Sequence, residues 1–408
     1  MVSLALAALM GISALAVDVG ELWTTRRLMQ NAADAAAMAG ADEVAIDGSK
    51  TQVVAAAKAA SAQNGFTDGS STLASSSKVS VAVYDPPQSG PYATNSNAVQ
   101  VVVSQTQPTY FIRVLGWQNV PVSTAAVGLT VSGGSCVYAL DPTASGTVTV
   151  TGTASLNSTC GIYDNSDNSS SALIVSGGGV LQAPLVGVVG GTTVNGGGSS
   201  PPTTGIAAFG DPLAWEAEPT VGQCTSYHVQ NISTSQTLNP GLYCGGLKLN
   251  AGANVTFNPG TYIMNGGGLT ILAGATATGS SVTFFLTGQN TSNGSANAYG
   301  GIQIAGSATV NLSAPCDSSS GGIEGMLFFQ DRAMTNGAGS VINGGANSSF
   351  TGALYFPTTA LSYSGNSGSN QYTLVVADTL TVAGTANINN NYGCLANGSL
   401  IKNAALAQ

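Results

Sequence analysis

Side chains that could carry out acid–base or nucleophilic chemistry are few in this chain of 408 residues. The single histidine, His228, would have to serve any Ser-His-Asp arrangement, but no Gly-x-Ser-x-Gly turn lies near it. Two carboxylate pairs, Asp164 with Asp167 and Glu324 with Asp331, are candidates for acid–base cleavage of glycans. No further motif supports either pair. We therefore interpret His228 as a turn or surface residue and predict no enzyme activity, no cofactor and no metal.

A metal site has one weak candidate, the polar segment 164–168, which we interpret as a loop that could at best hold calcium weakly. The overlapping run 167–171 matches the Asp-x-Ser-x-Ser pattern of von Willebrand factor A metal sites. The apolar strand that should precede the aspartate is missing, because Asn165 and Ser166 stand there. We interpret the match as a chance result of a serine-rich composition.

The six cysteines all follow residue 134. They include no Cys-x-x-Cys pair and have no histidine cluster near them, which argues against zinc and thioredoxin-like sites. Disulfides in an oxidising compartment fit better, although some cysteines could instead be free and buried. Six cysteines allow fifteen pairings, and neighbours along the chain are the pairs that we predict. These pairs are Cys136 with Cys160, Cys224 with Cys244, and Cys316 with Cys394.

The composition bounds the class of protein. Charged residues make up 7% of the chain, against roughly 25% in ordinary soluble domains. Hydrophobic residues make up 43%, which is too many for a disordered chain, and 54 residues are glycine. Nine lysines and arginines in a chain of net charge −9 form no basic patch, so we expect no nucleic-acid partner. Such uncharged, glycine-rich chains are typical of extracellular β-structure.

The N-terminal segment is the most distinctive element. Positions 1–17 contain no charged side chain, and a run of this length is at the short end of what spans a bilayer. From Leu15 to Ala41 the sequence has no proline, so we predict a membrane anchor with a helical extension over residues 1–45. A secretory signal peptide is the alternative: Ala14-Leu15-Ala16 fits its cleavage site loosely, but a basic leading region is absent.

A small α+β module is predicted for residues 46–133. Ser49 is placed to cap a helix over 53–60, and Asn64-Gly65 would end that helix. Short β-branched runs then predict strands near 79–84, 98–105 and 120–131. Residues 401–408 are assigned as a tail.

Residues 134–400 repeat a short β-branched run, a glycine, a small residue and a second short run, at irregular spacings. Examples lie at 148–157, 247–257, 269–275, 302–310 and 380–388. Such units bury an apolar face only by stacking, so we predict a parallel β-helix, with a β-sandwich as the alternative. The stretch 196–205 is predicted to be a surface loop, and Leu213 and Trp215 are predicted to pack on a face of this domain.

The N-terminal sequence resembles the Tad/Flp pilus-assembly family (TadE/TadG-like). An apolar helix is followed by Val17-Asp18-Val19-Gly20, then by Trp23, and then by an alanine-rich run; the resemblance continues more weakly to about residue 131. The motif residues carried over are Asp18, Gly20, Arg26, Arg27, Leu28, Gln30, Asn31, Ala32, Asp34 and Ala35.

The resemblance implies a structural or assembly component of a Tad-type pilus in the bacterial envelope. It implies an anchor in the inner membrane, an extracytoplasmic C-terminal region, and other pilus or envelope subunits as partners. Arg26-Arg27 would by the positive-inside rule place that region in the cytoplasm. We follow the family, since the cysteines and the composition also indicate an extracytoplasmic location.

Residues 239–384 weakly resemble β-helical bacterial adhesin domains of the ice-binding-like type. The matching features are Pro-Gly-x-Tyr turns, at 240–243 and 259–262, and phenylalanine-rich strands at 282–286 and 350–356. Ice binding itself is not expected, because regular Thr-x-Thr faces are not evident: Thr147, Thr149 and Thr151 form one short example. The alternative function is a secreted or surface polysaccharide-binding or polysaccharide-modifying β-helix protein, and contact with a surface glycan, host or matrix is left open.

Overall fold

The structure is a computed structural model, and it divides the chain into two compact units. Residues 1–133 with 401–408 form the N-terminal unit, and residues 134–400 form the parallel-sheet unit. The described residues are 2–46, 48–71, 78–132, 135–195, 197–288, 299–334, 337–344, 348–365, 373–388, 395 and 400–407. The side chains at 2–13, 115, 131, 132, 344, 365, 373, 402 and 403 are outside this description.

Two helices open the N-terminal unit. The first, α1, runs without a break over Val2–Ala45, as its lack of proline allows. The second, α2, spans Lys50–Gln63. Ser49 caps α2 as predicted: its hydroxyl accepts from the Gln52 N–H, and the Gln52 side chain accepts from the Ser49 N–H, which makes a capping box.

The sheet of the N-terminal unit is antiparallel. Its strands β1 (Ser80–Tyr84), β2 (Ala98–Pro108) and β3 (Asn119–Ser132) lie where the sequence predicts strands. Residues 401–408 are more than the tail that we assigned. Lys402–Leu406 forms a C-terminal strand that pairs antiparallel with β3, and this strand completes the order β1-β2-β3-C-terminal strand. The added strand covers the edge of β3, whose N–H and C=O groups would otherwise lack partners there.

The parallel-sheet unit consists of short strands. In chain order they are β4 (Ser135–Ala139), β5 (Val148–Val150), β6 (Ser155–Ser158), β7 (Gly161–Asp164), β8 (Leu173–Val175), β9 (Val180–Gln182), β10 (Val186–Val188), β11 (Thr192–Val194), β12 (Thr203–Thr204), β13 (Gln230–Ile232), β14 (Gln236–Leu238), β15 (Gly241–Cys244), β16 (Leu247–Leu249), β17 (Asn254–Phe257), β18 (Gly260–Asn265), β19 (Leu269–Ile271), β20 (Thr276–Gly279), β21 (Val282–Thr287), β22 (Ile302–Ile304), β23 (Thr309–Ser313), β24 (Met326–Gln330), β25 (Ser340–Gly344), β26 (Ser349–Phe356), β27 (Leu361–Gly365), β28 (Thr373–Ala377), β29 (Leu380–Val382) and β30 (Thr385–Ile388).

These strands build parallel sheets of 14, 10 and 3 strands. Over β13 to β23 each strand pairs with the strand three places later, for example β16 with β19, β17 with β20, and β18 with β21. Each turn of the chain there thus adds one strand to each of three faces. Every strand pairing described in this unit is parallel, which excludes the alternative β-sandwich, since such sandwiches are built from antiparallel sheets.

The first turn of this unit lies in the middle of the sheets. Strand β4 pairs with β28, β5 pairs with β29, and β6 pairs with β30, so the first and last turns are neighbours. The chain builds outward from β4 to β12, crosses to the far end through 205–229, and then builds back from β13 to β30. We call 205–229 the return segment.

Aromatic rings form two layers on the sheet that contains β21 and β24. Inside the unit, Phe284 packs on Phe328 at 5.7 Å between ring centroids. On the opposite face, Phe329 packs on Phe285 and Tyr355, each at 5.2 Å. All of these rings are fully buried, because the core covers one face of the sheet and other chain segments cover the second.

Arg332 fastens the return segment over the second aromatic layer. Its guanidinium lies 5.2 Å from the ring centroids of Phe329 and Tyr355. It donates to the backbone carbonyls of Leu213 at 2.6 Å and Glu216 at 3.0 Å. The return segment is therefore held by a cation that contacts both its backbone and the rings beneath it.

The return segment also supplies two carboxylates to this contact, and Asp211 lies 3.9 Å from the Arg332 guanidinium. Glu218 pairs with Arg332 at 3.3 Å. Leu213 is fully buried, as predicted, and Trp215 donates its indole N–H to the carbonyl of Pro212.

Two disulfides join cysteines that were predicted to pair. Cys136 is bonded to Cys160 and Cys224 to Cys244, with Cα–Cα distances of 5.6 and 5.7 Å. The second bond ties the return segment to β15. Cys316 is also disulfide-bonded, and its predicted partner Cys394 lies outside the described residues.

Candidate functional site

The ten predicted motif residues of α1 do not converge on one pocket. Asp18 and Ala32 are buried; Gln30, Asp34 and Ala35 are half-buried; Gly20, Arg26, Arg27, Leu28 and Asn31 are exposed. The buried members face the sheet of the N-terminal unit, and the exposed members face away from its core. The motif therefore has one face that holds the helix in place and one face that is free for other contacts.

Asp18 is the most constrained of these residues. Its carboxylate accepts three backbone N–H groups, from Tyr110 at 2.9 Å, Phe111 at 2.8 Å and Ile112 at 2.6 Å. The residue is only 2% exposed. Burial raises the pKa of this carboxyl, but the three N–H bonds outweigh that effect and hold the pKa below its ordinary value. The charged carboxylate thus clamps the chain that connects β2 to β3.

That connection, residues 109–118, is here called the tip. It contains a short 3₁₀ helix, Ile112–Leu115, which ends at Gly116 in the left-handed region with φ of 95°. The Thr109 N–H donates to the Gln118 carbonyl at 3.1 Å, and the Thr109 hydroxyl donates to the Trp117 carbonyl. These bonds within the tip, together with the Asp18 clamp, fix its backbone.

The tip exposes large apolar side chains instead of burying them. Val114 is 85% exposed and Trp117 is 67% exposed, while Tyr110 and Phe111 are also exposed. Arg113 is exposed among them. The neighbouring part of α1 shows the same behaviour, with the exposed apolar residues Leu15, Val17, Val19 and Trp23.

Farther along α1, polar contacts set the position of the helix on the sheet. Thr25 is buried and accepts from the Gln107 amide at 3.1 Å. Gln30 donates to Asp34 at 2.7 Å and to the carbonyl of Ala125 on β3 at 3.2 Å. Because such bonds have narrow geometry, they fix the register of α1 along β2 and β3.

Small residues let α1 lie close to the sheet. A Cβ at Gly128 on β3 would collide with the Ala37 carbonyl oxygen, so only glycine fits at that point. A Cβ at Gly40 would stand 2.9 Å from the Val99 side chain. The alanine run of the motif therefore serves close helix–sheet packing, and the fully buried alanines of α1 are Ala32, Ala33, Ala36, Ala37 and Ala41.

An open groove lies beside the exposed face of α1. Its volume is about 330 Å³. It is lined by Leu22, Trp23, Arg26, Val120, Pro121, Val122 and Ser123. The exposed motif residue Arg26 thus borders an apolar channel between the helix and the start of β3.

His228 and the pair Asp164 and Asp167, the first candidates for acid–base chemistry, differ in burial. His228 is exposed, and its backbone N–H donates to the Cys244 carbonyl at 3.2 Å. Asp164 is fully buried while Asp167 is exposed, so the two carboxyls of this candidate pair lie in different surroundings.

The second candidate pair differs in burial too. Glu324 is half-buried, whereas Asp331 is fully buried. The two carboxylate oxygens of Asp331 accept from the Thr287 hydroxyl at 2.6 Å and from the Ala333 N–H at 2.8 Å. These bonds give Asp331 a role in holding neighbouring chain segments.

Asp164 has an unusual electrostatic environment. Burial raises its pKa to about 6, with a further contribution from Asp141, although N–H bonds from Ser166 and Val148 act in the opposite direction. One of its carboxylate oxygens is buried without a hydrogen-bond partner. In the part of the chain that the structure describes, no three His, Cys, Asp or Glu side chains are grouped to hold a metal ion.

Sequence reasoning missed the roles of two residues. Asp18 was singled out by its motif, but nothing in its neighbourhood pointed to the tip almost a hundred residues later. The sequence gives a weak indication of the role of Arg332. Lys248 and Arg332 are the only lysine and arginine within 134–400, and 211–218 carries three acidic residues. That charge pattern could have suggested the pairing.

Comparison with known proteins supports the resemblance at the N-terminus. Residues 1–43 match the family model described as Flp pilus-assembly TadE/G-like, and residues 32–127 match the model described as Tad-like Flp pilus-assembly. No curated protein and no solved structure matches this chain. The family resemblance of the N-terminal region is thereby confirmed, whereas the resemblance of 239–384 to adhesin domains stays a prediction.

The predicted membrane segment covers residues 1–17, and most of its side chains lie outside the described ones. Within the residues that the structure describes, no helix combines the length and the apolar character needed to cross a bilayer.

Proposed function

We propose that this chain is a structural or assembly component of a Tad-type (Flp) pilus or a related apparatus of the bacterial envelope. The observation that carries the proposal is the continuity of α1, which runs from the charge-free segment 1–17 into the motif that packs on the sheet. No turn separates the two parts, so an anchor and the folded unit would form one rigid element. The two family-model matches over residues 1–127 support the same assignment.

In this proposal residues 1–17 form a single-pass anchor in the inner membrane, and the rest of the chain is extracytoplasmic. Disulfides support an oxidising location, because they persist in the periplasm and at cell surfaces. Residues 134–400 would then be a parallel β-helix presented outside the membrane. The pairing of strands three places apart over β13 to β23 supports this architecture.

The role that we propose is structural, without catalysis. Its support is the environment of the candidate residues, since both oxygens of Asp331 accept hydrogen bonds from neighbouring protein groups and His228 is an exposed residue outside the strands. The partners would be other pilus or envelope subunits. The groove beside Trp23 and Arg26 offers them an apolar channel with a positive charge at its rim.

Cell fractionation with mass spectrometry of the mature N-terminus tests the anchor. We expect the intact segment Met1 to Val17 in the inner-membrane fraction. Leu9→Arg should release the protein, because a charge at the centre of a spanning helix is costly, on the order of 3 kcal/mol. Thr24→Arg adds the same charge beyond the segment and should leave the protein in the membrane. A chain that begins near Val17 and accumulates in the medium would overturn the anchored role.

A glycan-binding role is the second candidate, and one observation favours it. Thr256, Thr278, Asn311 and Ser349 are aligned on four adjacent parallel strands, and all four are at least partly exposed. Ser349 donates to Asn311 at 2.9 Å. Binding of the full chain to an array of bacterial surface polysaccharides, lost on Asn311→Leu, would support this role, and equal binding by the variant would remove its basis.

A further inference from the structure

We propose that the tip rests on the membrane surface and places the side chains of Tyr110, Phe111, Val114 and Trp117 among phospholipid headgroups. This inference rests on the proposed function, because it takes residues 1–17 as the anchor. It adds a second membrane contact that is distant in sequence from the first. The helix and the tip would then hold the N-terminal unit against the bilayer at two points.

The tip is exposed. This short connection carries four large apolar side chains that the unit leaves in contact with solvent, although its core buries valines of β2 fully. Contiguous exposed apolar surface of this kind marks a contact site. The backbone of the tip is fixed by its own hydrogen bonds and by Asp18, so the exposure is a property of the folded unit.

The tip lies beside the part of α1 that directly follows the apolar segment. Asp18 is the first charged residue after the apolar segment, and its carboxylate lies 2.9 Å from the Tyr110 nitrogen in the tip backbone. Since a helix rises only about 1.5 Å per residue, the clamp holds the tip level with the end of the segment that would leave the bilayer. The tip would therefore lie at the interface between the hydrocarbon core of the bilayer and water.

The side chains of the tip have the chemistry of residues found at membrane surfaces. Tryptophan and tyrosine are enriched at membrane–water interfaces, because their rings are apolar at one end and polar at the other. Arg113 stands among these rings, and a long cationic side chain can reach lipid phosphates while its stem stays in apolar surroundings. This combination fits a bilayer with anionic headgroups better than a purely apolar partner.

Quenching of tryptophan fluorescence by brominated lipids tests the inference on the full chain in phosphatidylcholine–phosphatidylglycerol vesicles. The chain has three tryptophans, so Trp23→Phe with Trp215→Phe leaves Trp117 as the only reporter and leaves the tip unchanged. With all three replaced by phenylalanine, Leu15→Trp reports on the anchor. In the same background Met38→Trp, which lies about 30 Å farther along α1 than Asp18, is the matched control.

We expect lipids brominated near the headgroup to quench Trp117 and the Leu15→Trp reporter roughly twofold or more, and the Met38→Trp reporter hardly at all. Quenching of the anchor reporter without quenching of Trp117 would overturn this inference and leave the proposed function standing. Equal quenching of Trp117 and the Met38→Trp reporter would also overturn it. If none of the three is quenched, the anchor itself is absent and both proposals fail. A Trp117 that neither brominated lipid nor aqueous acrylamide quenches is covered by protein, which refutes the lipid contact.

Discussion

The two units place their aromatic side chains in opposite ways. In the parallel-sheet unit Phe284, Phe328 and Phe329 are stacked and fully buried. In the N-terminal unit the tip leaves Phe111 and Trp117 exposed, while alanine fills the space between helix and sheet. The N-terminal unit thus combines a core of valines and alanines with close backbone approach and polar clamps, and it leaves the large apolar residues of the tip exposed for contacts outside the chain.

Replacing a phenylalanine by alanine should affect the stability of the two units very differently. Phe328→Ala removes a fully buried ring and should lower the free energy of unfolding of the parallel-sheet unit by about 4 kcal/mol. Phe111→Ala, in the exposed tip, should change the stability of its unit very little. Chemical denaturation of both variants checks this, and similar losses for the two would contradict the comparison.

Asp164 should make the parallel-sheet unit less stable as the pH rises. Its folded pKa of about 6 lies above the ordinary value of 3.8, so the native state holds a proton that the unfolded state releases in this interval. Stability should therefore fall by roughly 3 kcal/mol between pH 4 and pH 6 and stay lower above. Asp164→Asn should be more stable than the natural chain at pH 7 and about equal near pH 4. The measurement is the difference between their unfolding free energies at the two pH values, and a pH-independent difference would refute this origin.

The close approach of α1 to β3 can be tested at Gly128. Gly128→Ala places a Cβ against the Ala37 carbonyl and should destabilise the N-terminal unit by about 2 kcal/mol. Gly20→Ala is the matched control, because a Cβ there meets no atom within 4 Å. It should be neutral or slightly stabilising, since alanine favours helix. Thermal unfolding of both variants decides; equal melting temperatures would mean that the helix can shift away from the sheet.

Asp18 should control the order of the tip, with the smallest effect on global stability. Asp18→Asn should speed hydrogen exchange of the amides of residues 110–112 roughly tenfold, since a neutral amide is a weaker acceptor than a carboxylate. In the natural chain the pKa of Asp18 is lowered, so this protection should persist above its ordinary value of 3.8 and be lost as the pH falls through the lower folded pKa. Exchange followed by mass spectrometry at pH 5 measures it. Unchanged exchange in the variant would show that the bonds within the tip suffice.

Asp18 and Asp164 have opposite pH dependences. The clamp at Asp18 is strongest when its carboxylate is charged, whereas the surroundings of Asp164 favour the protonated form. Burial is the largest cause of the raised pKa of Asp164, where the N–H groups of Ser166 and Val148 do not offset it, whereas three backbone N–H groups outweigh burial at Asp18. Burial alone therefore does not decide the protonation state of a carboxyl in this protein.

Local sequence signals predicted the local elements well. Ser49 and Gln52 define the start of α2 because the capping box needs only residues three apart. The β-branched runs located β1 to β3, and consecutive cysteines gave the two described disulfides. Each of these features depends on interactions between positions close in the chain.

Features that depend on distant pairing could not be predicted. Nothing in residues 135–139 indicates that β4 pairs with β28, because strands of this type share one composition and the stacking order is set by the return segment. The polar alignment of Thr256, Thr278 and Asn311 was missed for the same reason, since the turns differ in length and the repeat is irregular in sequence. The clamp at Asp18 likewise joins positions 92 to 94 residues apart.

The C-terminal strand gives the chain an unusual connectivity. The parallel-sheet unit begins just after β3 and ends just before Lys402–Leu406, which pairs with β3. The unit is thus an insertion between two neighbouring strands of one sheet and has two covalent tethers. A protease that cuts one tether leaves the other intact, and the strand pairing keeps the cut end in place. After a cut in the tether that follows β3, the pairing of the C-terminal strand with β3 is what retains the unit, a second attachment that a domain added at the end of a chain does not have.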